Sequence, residues 1–493
     1  MRSNHYYAAI DLGSNSFHMI VVRVVAGAIQ VVTRIRRKVR LASGLNAQGE
    51  LDEAAIKRAC DCLALFADRV QDIAADNIQV VATAAFRKLA HPQQVLPRLE
   101  AVLGHRISII SGQQEAQTIY QGVVYTSAEQ QRPLVIDIGG ASTEVIAGEG
   151  AQANILHSLD MGCVVWQNHF FAENQISETA CESAISASQR LIASFQHDYQ
   201  HHGWQAVLGA SGTFKALDEM LCQHPQQDQI SHAWLEQLLQ QAIQAGSIER
   251  LNFAGLNPER QPVFMGGLCI LLGLCRSLNI ETIQVANGAL REGLIYQQLK
   301  HLLQGDCARQ RTLNSLLETY HLDAEQIDRV RQVALSCWRQ INPQPPLATR
   351  RHGEQLLSAA SYLHEIGLQL NYQRSHEHSA YVIDNTDMPG FSVQEKQDLK
   401  ALLRDCRGYL SQPRLAQLTT PLIDLLRILR LAIIFAQRRR HDVIPAMHLA
   451  CQQQQFTLTL PSDWQQQNPY VLSLLQDEQK IAQRVGWALH IVD

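Results

Sequence analysis

The first 300 residues alternate short apolar runs with segments of helical periodicity. The runs that are typical of buried strands are residues 8–10, 19–25, 78–81, 134–138 and 206–208. Helical segments separate them. This alternation predicts layered α/β architecture.

Two of these apolar runs end in nearly the same phrase. Residues 10–16 read IDLGSNS, and residues 136–142 read IDIGGAS. In each phrase Asp follows the strand, Gly stands two residues later and Ser five residues later, and a β-rich run then resumes. The repetition predicts two copies of one hairpin-bearing domain that face each other, at residues 1–125 and 126–303, with a boundary near the polar segment 126–132.

The pattern changes after residue 304, where helical periodicity dominates and glutamine becomes frequent. Helices are predicted around LLSAASYLHEIG (356–367) and LIDLLRILRLAIIFAQRRR (422–440), and PQPP (343–346) interrupts the segment. QFTLTL (455–460) alternates like a short strand. We therefore expect a helical domain at 304–450 and a small α/β appendix at 451–493.

Composition limits the classes of partner. The chain of 493 residues carries a formal net charge of -4, which argues against sequence-independent nucleic-acid binding. No uninterrupted apolar stretch approaches the roughly 18 to 20 residues of a membrane helix, and no secretory signal is visible. The eleven cysteines are scattered and match no zinc or disulfide framework. These features predict a cytoplasmic protein without a membrane partner.

The repeated D-x-G-[SG]-x-S turn is the first chemical candidate. Glycine allows consecutive backbone N–H groups to converge on a phosphate, and nearby hydroxyls add donors. One such turn is ordinary turn chemistry, but two at the same offset favour phosphate binding. The candidate phosphate ligands of the two turns are Asp11, Gly13, Ser14, Asn15, Ser16, Gly139, Gly140, Ser142 and Thr143.

Asp11 and Asp137 are expected at strand ends that point toward the phosphates. Unpaired carboxylates there would repel the ligand unless a divalent cation neutralised them, and Mg²⁺ fits that need. Asp137 is the candidate metal ligand, together with Glu144, which could orient a metal-bound water. The alternative is that both Asp residues cap their turns by accepting backbone hydrogen bonds.

GASGTFKAL (209–217) follows a strand and opens a helix, so Ser211, Gly212 and Thr213 could bring helix N-terminal amides to an anion. VANGALREGLIY (285–296) has the same order of strand, glycine turn and helix. Close packing of helix on strand is the alternative explanation for the small residues in both segments.

Glu115 is the candidate for water activation. Ser111 and Gln114 form a capping-box pattern that places Glu115 in the first turn of a helix. The helix dipole favours the carboxylate there, so we expect Glu115 to stay ionised and to be a weak base. Stabilisation of the helix alone is the alternative role.

Basic residues supply further candidates. Arg87, after the strand IQVV, could clamp a phosphate or could be a solvated surface residue. The runs RIRRKVR (34–40) and RRR (438–440) are either solvated faces or additional phosphate contacts.

With these motifs, the chain resembles the exopolyphosphatase and guanosine pentaphosphate phosphohydrolase (Ppx/GppA) family along nearly its whole length. The resemblance is carried by AIDLGSNSFHMIVVR, ISGQQEA, VIDIGGASTE, MGCV (161–164), GASGT and GALREGL. It implies actin-, hexokinase- and Hsp70-like (ribonuclease H-like) domains, followed by a helical domain similar to HD phosphohydrolases. It also implies that Glu115 is the general base, because Glu115 occupies the second acidic position of the family phrase SGxEEA. Gln114 replaces the first acidic residue of that phrase.

The helical domain keeps only a partial HD pattern, in LHEIG (363–367), His376 and His378. Ile433 stands where an HD enzyme would supply its last Asp ligand, so we interpret His364 and Glu365 as structural.

TRIRRKVRLASGLN, IYQGV, GGASTE and RLAIIFAQRRR resemble the guanosine pentaphosphate branch of the family more than the exopolyphosphatase branch. The resemblance then implies a homodimer that removes the 5'-terminal phosphate of guanosine pentaphosphate (pppGpp) to give the tetraphosphate (ppGpp), in the stringent response. Release of phosphate from polyphosphate ends is the first alternative. A sugar-type kinase and a nucleotide sensor without turnover remain as further alternatives.

Overall fold

The computed structural model describes residues 6–46, 48–128, 132–223, 229–300, 307–341, 347–452 and 454–492. The chain divides into two compact units, Met1–Ala308 and Arg309–Asp493. The boundary predicted between residues 303 and 304 and the PQPP segment both lie outside the described residues.

The first lobe of unit one contains β1 (Tyr6–Leu12), β2 (Ser16–Val25), β3 (Ala28–Lys38), β4 (Ile78–Ala82) and β5 (Ser108–Ile109). Within the described residues these strands form a sheet in the order β3-β2-β1-β4-β5. Strands β1 to β3 form an antiparallel meander, and β1, β4 and β5 run parallel. The helices of this lobe are α1 (Glu53–Val70), α2 (Ala84–Arg87), α3 (Pro92–Leu103) and α4 (Gly112–Thr126).

The second lobe contains β6 (Pro133–Ile138), β7 (Thr143–Glu149), β8 (Gln152–Leu159), β9 (Ala206–Ala210), β10 (Ile230–Ser231) and β11 (Thr282–Val285). Its sheet order across the described residues is β10-β11-β9-β6-β7-β8. Read from β8, the succession β8-β7-β6-β9-β11 repeats the first sheet, with the same antiparallel meander and parallel pair. The predicted duplication is confirmed, and the topology is that of ribonuclease H-like domains.

The helices of the second lobe are α5 (Cys163–Phe170), α6 (Glu178–Ile192), α7 (Gln196–His202), α8 (Ser211–Leu221), α9 (His232–Ala245), α10 (Gln261–Leu278) and α11 (Leu290–Gln298). Among the described residues, α10 is a helix long and apolar enough to cross a membrane by composition, with a mean hydropathy of 1.4. Because 78% of it is buried inside the protein, α10 is accounted for as the central core helix of this lobe.

Helices α4 and α11 lie between the two sheets. Their shared core contains Ala9 and Val22 from the first sheet and Val135 and Ile146 from the second. Although α11 comes after the last strand of the second lobe in sequence, it packs against β1 of the first lobe, and Gln298 Nε2 donates to the Ala8 carbonyl oxygen at 3.3 Å. The two lobes therefore share a helical layer.

The crossing of α4 and α11 depends on glycine. A Cβ on Gly122 would overlap the Ala289 carbonyl oxygen, and a Cβ on Gly293 would overlap the Thr118 carbonyl oxygen. These neighbours are backbone atoms, so they cannot move aside without shifting a helix.

Gly293→Ala is therefore expected to lower the free energy of unfolding by about 1–3 kcal/mol, the usual cost of overpacking. Denaturant unfolding of the purified chain measures the change. Gly140→Ala is the matched control, because its added Cβ would meet its nearest neighbours at an ordinary 3.5 Å. Equal stability of the Gly293→Ala protein and the wild type would show that the helices can separate freely.

Unit two is mainly helical. Its helices are α12 (Ala308–Thr319), α13 (Ala324–Ile341), α14 (Leu347–Leu363), α15 (Ser375–Asp384), α16 (Val393–Asp405), α17 (Gln412–Leu415), α18 (Thr420–Phe435), α19 (Ser462–Gln467) and α20 (Pro469–Arg484). A sheet in the order β12-β13-β14 is formed by β12 (His448–Gln452), β13 (Gln455–Thr459) and β14 (Ala488–Val492). The predicted strand at 455–460 is confirmed, and β12 spans the boundary predicted between residues 450 and 451.

The residues at the HD-like positions of this unit are buried or make contacts within the unit. His364 is buried, its Nδ1 lies 2.7 Å from the Ser361 carbonyl oxygen, and burial lowers its pKa to about 4. Glu365 accepts a hydrogen bond from Arg439 at 2.7 Å. Ile433 is buried in α18. These contacts agree with a structural role for His364 and Glu365, and they engage part of the RRR run in an ion pair.

Candidate active site

The two DxG turns face each other across a cleft between the lobes. A Cβ on Gly13 would lie 2.9 Å from the Ser16 carbonyl oxygen, and one on Gly139 would lie 3.0 Å from that of Ser142. The glycines are therefore required for the same tight turn in both lobes. A Cβ built on Gly140 would sit 3.5 Å from the Asn15 side chain, so the tips of the two turns approach each other closely at one end of the cleft.

Each turn is held by a following segment. The Asn15 carbonyl oxygen accepts from the Val39 and Arg40 amides at 3.1 and 2.9 Å. In the second lobe the Cys163 amide donates to the Gly139 carbonyl oxygen at 2.9 Å, and Gly162 packs directly on Gly140. This packing explains the MGCV motif as a brace for the second turn.

The cleft has a volume of about 340 Å³. Most of the predicted site residues line it, namely Asp11, Gly13, Ser14, Asn15, Ser16, Glu115, Asp137, Gly139, Gly140, Ser142, Glu144, Ser211 and Gly212. Three predicted phosphate ligands lie outside this lining. The Thr143 hydroxyl donates to the Met161 carbonyl oxygen at 2.6 Å, Thr213 packs against Gly267, and Arg87 lies behind Glu115.

Glu115 lies in the first turn of α4, as the sequence predicts. Ser111 Oγ accepts from the Gln114 amide at 3.1 Å, and the Gln114 side chain accepts from the Ser111 amide at 2.9 Å. This capping box starts α4 at Gly112 and leaves Glu115, in the first turn, buried beside the cleft.

The prediction that Glu115 is an ordinary ionised, weakly basic carboxylate was wrong. Burial raises the pKa of Glu115 to about 7, Arg87 opposes this rise, and the carboxylates of Asp11 and Asp137 add to it. The helix dipole contributes only about 0.3–1 kcal/mol, which is too little to offset desolvation by both lobes. Glu115 is consequently a better proton acceptor than an exposed glutamate.

Arg87 pairs directly with Glu115. Its Nη1 donates to Glu115 Oε2 at 2.6 Å and to the Ile110 carbonyl oxygen at 3.1 Å. Arg87 therefore contacts the candidate base, and the sequence could not reveal this because the two residues are 28 positions apart.

Two further carboxylates lie beside Glu115. Burial raises the pKa of Asp137 to about 6, and a hydrogen bond from Ser211 opposes this rise. Burial, followed by repulsion from Glu115 and Asp137, raises the pKa of Glu144 well above its usual value. Ser158 Oγ donates to Glu144 Oε1 at 2.7 Å. The floor of the cleft thus concentrates negative charge that a cation would stabilise.

The first residue of α8, Ser211, lines the cleft and has a strained backbone conformation. Ser211 has a φ of 70°, a left-handed conformation that is unfavourable for a residue with a Cβ, and its side chain hydrogen-bonds Asp137. A Cβ on Gly212 would overlap the guanidinium of Arg260. Glycine at this position therefore lets Arg260 lie across the N-terminus of α8.

Five cationic side chains line the cleft among the described residues, and most of them were not predicted from the sequence. They are Arg34, Arg36, Lys215, Arg260 and Arg291. Burial and then the charge of Arg291 lower the pKa of Lys215, and burial followed by Arg260 lowers that of Arg36. Like charges this close favour a bound polyanion. The alternation of Arg34 and Arg36 along β3 was the available signal, since alternate residues share one face of a strand.

His18 and Thr83 also line the cleft and were not predicted. His18 Nδ1 lies 3.5 Å from Asp11 Oδ2, and burial lowers the pKa of His18 despite this carboxylate. The signal for His18 was its spacing, because it follows Asp11 by the seven residues that separate Glu144 from Asp137.

Within the described part of the chain, no three His, Cys, Asp or Glu side chains converge closely enough to hold a metal ion by themselves. Mg²⁺ does not require such a cage, because it often binds one or two carboxylates and completes its shell with water and phosphate oxygens. Asp11 Oδ1 is buried and has no hydrogen-bond partner in the described residues. Together with the clustered carboxylates, this donor set fits a hard cation.

Comparison with known proteins agrees with this geometry. The model of the Ppx/GppA phosphatase family matches residues 20–302, and the model of Ppx/GppA phosphatase domain III matches residues 308–479. The chain belongs to the Ppx/GppA phosphatase family. The predicted family, its fold and the class of phosphohydrolase are confirmed.

Relatives named guanosine-5'-triphosphate,3'-diphosphate pyrophosphatase, from Aeromonas salmonicida and Aeromonas hydrophila, are each 44% identical over 498 aligned residues that cover all of both chains. Among solved structures, an exopolyphosphatase from Cytophaga hutchinsonii is 23% identical, with a TM-score of 0.54 over 60% of this chain and 98% of that one. The Ppx/GppA enzyme of Aquifex aeolicus is 20% identical, with a TM-score of 0.51 over 59% and 99% of the two chains. The solved structures support the fold.

Proposed function

We propose that the chain hydrolyses the 5'-terminal phosphate of guanosine 5'-triphosphate 3'-diphosphate, giving the tetraphosphate and inorganic phosphate. The observation that carries the proposal is the 44% identity, along the whole chain, to relatives that bear this activity in their name. The cleft is suited to this substrate because carboxylates and cations line it together; the cations, here called the cationic wall, are Arg34, Arg36, Lys215, Arg260 and Arg291.

In the proposed reaction, Glu115 in its ionised form accepts a proton from a water molecule as the water oxygen attacks the terminal phosphorus. The bond between that phosphorus and the bridging oxygen breaks, and the bridging oxygen leaves with the shortened nucleotide. Backbone amides of the turns at Gly13 and Gly139 orient the phosphate oxygens. Glu115 then releases its proton to solvent.

Mg²⁺ is the proposed cofactor. Asp137 and Glu144 would hold it, and a bound divalent cation supplies Lewis-acid stabilisation of charge on phosphate oxygens. Asp11 also lines the cleft, and its buried Oδ1 has no hydrogen-bond partner among the described residues. Arg36, Arg260 and Arg291 would bind the phosphates that are not removed.

Exopolyphosphatase activity is the second candidate. The described residues that line the cleft include no Phe, Tyr or Trp side chain on which a guanine could stack. A lining of cations and backbone amides recognises phosphate groups whether or not a nucleoside is attached. This feature supports polyphosphate as an alternative substrate of the same site.

The experiment that separates the candidates compares phosphate release from guanosine 5'-triphosphate 3'-diphosphate and from long-chain polyphosphate at equal phosphate concentration, with Mg²⁺. We expect a higher kcat/KM for the nucleotide. A higher value for polyphosphate would reverse the assignment. Transfer of the phosphoryl group to an acceptor alcohol, without release of inorganic phosphate, would indicate a kinase. Nucleotide binding without either reaction would indicate a sensor. A Glu115→Gln preparation measures contaminating phosphatase.

The cellular setting follows from the proposed reaction. A phosphohydrolase that converts guanosine pentaphosphate to the tetraphosphate acts where these signalling nucleotides are made, so we propose a cytoplasmic role in the stringent response. We also propose a homodimer, as the family resemblance implies, and sedimentation of the full-length chain tests this state.

A further inference from the structure

Each lobe carries a row of three polar residues that lie side by side across its antiparallel meander. The first row is Asp11, His18 and Arg36, and the second row is Asp137, Glu144 and Ser158. The rows occupy corresponding strands of the duplicated sheets. His18 therefore stands in the first lobe where Glu144 stands in the second.

His18 contacts the carboxylate beside it in its row. Its Nδ1 lies 3.5 Å from Asp11 Oδ2. An ionised carboxylate only accepts hydrogen bonds, so the proton of a neutral imidazole belongs on Nδ1 in this arrangement. At 3.5 Å this is an electrostatic contact longer than an ordinary hydrogen bond, and an Nδ1–H group that faces Oδ2 favours the observed orientation of the carboxylate.

Holding Oδ2 determines the position of the other carboxylate oxygen. Asp11 Oδ1 is buried and has no hydrogen-bond partner in the part of the chain that the structure describes. A buried carboxylate oxygen in that state is unfavourable unless a ligand completes its interactions. His18 thus faces one oxygen of Asp11, and the other oxygen lies buried near the Gly13 turn without a partner among the described residues.

The second row has a different chemistry. Glu144 lies beside Asp137, so two acids adjoin, and Ser158 donates to Glu144 at 2.7 Å. An acid at position 18 as well would add another carboxylate to the cleft, which would repel a polyanion. The imidazole of His18 adds no negative charge to the cleft and still contacts the Asp11 carboxylate.

We propose that His18 is a positioning residue, which orients the Asp11 carboxylate for the Mg²⁺-phosphate complex and makes the two duplicated hairpins chemically different. This proposal rests on the proposed function. It assigns the first row to orientation next to the cationic wall and leaves metal binding to the second row.

The test uses the full-length chain with His18→Asn, which keeps an N–H donor near the position of Nδ1, and His18→Leu, which removes it. Outer-sphere partners of ligand-binding groups typically contribute 10–100-fold. We expect His18→Leu to lower kcat by about 10–100-fold with little change in KM for the nucleotide. The Mg²⁺ concentration for half-maximal rate should rise. His18→Asn should restore most of kcat, and His197→Leu, at an exposed histidine of α7, is the control.

A second measurement does not depend on turnover. The midpoint of thermal unfolding is recorded for each protein alone and with Mg²⁺ plus inorganic phosphate. We expect equal midpoints without additives and a smaller ligand-induced increase for His18→Leu than for the wild type or His18→Asn. A purely structural role would lower the midpoint of the additive-free protein and leave the increase unchanged.

The outcomes distinguish this proposal from the proposed function. If the wild type hydrolyses the nucleotide and His18→Leu matches it in kcat and in Mg²⁺ dependence, the role of His18 is refuted alone. Equal losses in the Asn and Leu variants would also refute it. If the wild type releases no phosphate while His18→Leu loses the ligand-induced increase, the proposed reaction fails and the positioning role stands.

Discussion

Glu115→Gln is expected to reduce the rate of phosphate release by about 10²–10⁴-fold, the usual contribution of a positioned general base. Glutamine retains the size and hydrogen-bonding reach of glutamate but cannot accept the proton of the attacking water. Because Glu115 is buried at the start of α4, where the lobes share their helical layer, no bulk water can replace it easily. Steady-state release of phosphate from the nucleotide at saturating Mg²⁺ measures the effect.

Glu178→Gln is the matched control, since Glu178 also lies in the first turn of a helix but is exposed. It should leave the rate unchanged. Wild-type rates in the Glu115→Gln protein would remove Glu115 from the mechanism.

The pH dependence tests the same assignment. Glu115 must be ionised to accept a proton, and its pKa is raised to about 7, so the rate should fall as the pH decreases through that value. Arg87 opposes the rise, so Arg87→Gln should move this limb of the profile to higher pH.

Asp137→Asn is expected to lower phosphate release by at least about 100-fold, because an ion held by this carboxylate would stabilise the transition state by several kcal/mol. The loss should be accompanied by a weaker dependence on Mg²⁺. Ser211 should still hydrogen-bond the amide at residue 137, so the fold should persist. Titration of the rate with Mg²⁺, with far-UV circular dichroism as a check of folding, measures both effects.

Asp61→Asn supplies the comparison for this second variant, because Asp61 is an exposed carboxylate paired with Lys57 on α1. It should be indistinguishable from wild type. If the Asp137→Asn protein kept both its rate and its Mg²⁺ dependence, the metal would have to be held elsewhere.

Short-range patterns in the sequence explain which site residues could be predicted. The two turns could be predicted because the same pattern, a strand followed by a glycine turn, occurs twice in the chain. Ser111 and Gln114 predicted the start of α4, because a capping box involves residues only three positions apart. By contrast, Arg260 lies in a loop with no repeated neighbour, and only folding places it over Gly212.

By itself the sequence determined the duplicated α/β lobes, the two phosphate-type turns and the helix that begins near Glu115, since each depends on hydrophobic periodicity or on residues a few positions apart. Tertiary structure decided the chemistry of Glu115. Its raised pKa arises from burial between two sheets and from Asp11 and Asp137, which lie near the ends of distant strands. Desolvation and charge depend on separation in space, so residues far apart in sequence acquire these properties only when the lobes close around the cleft.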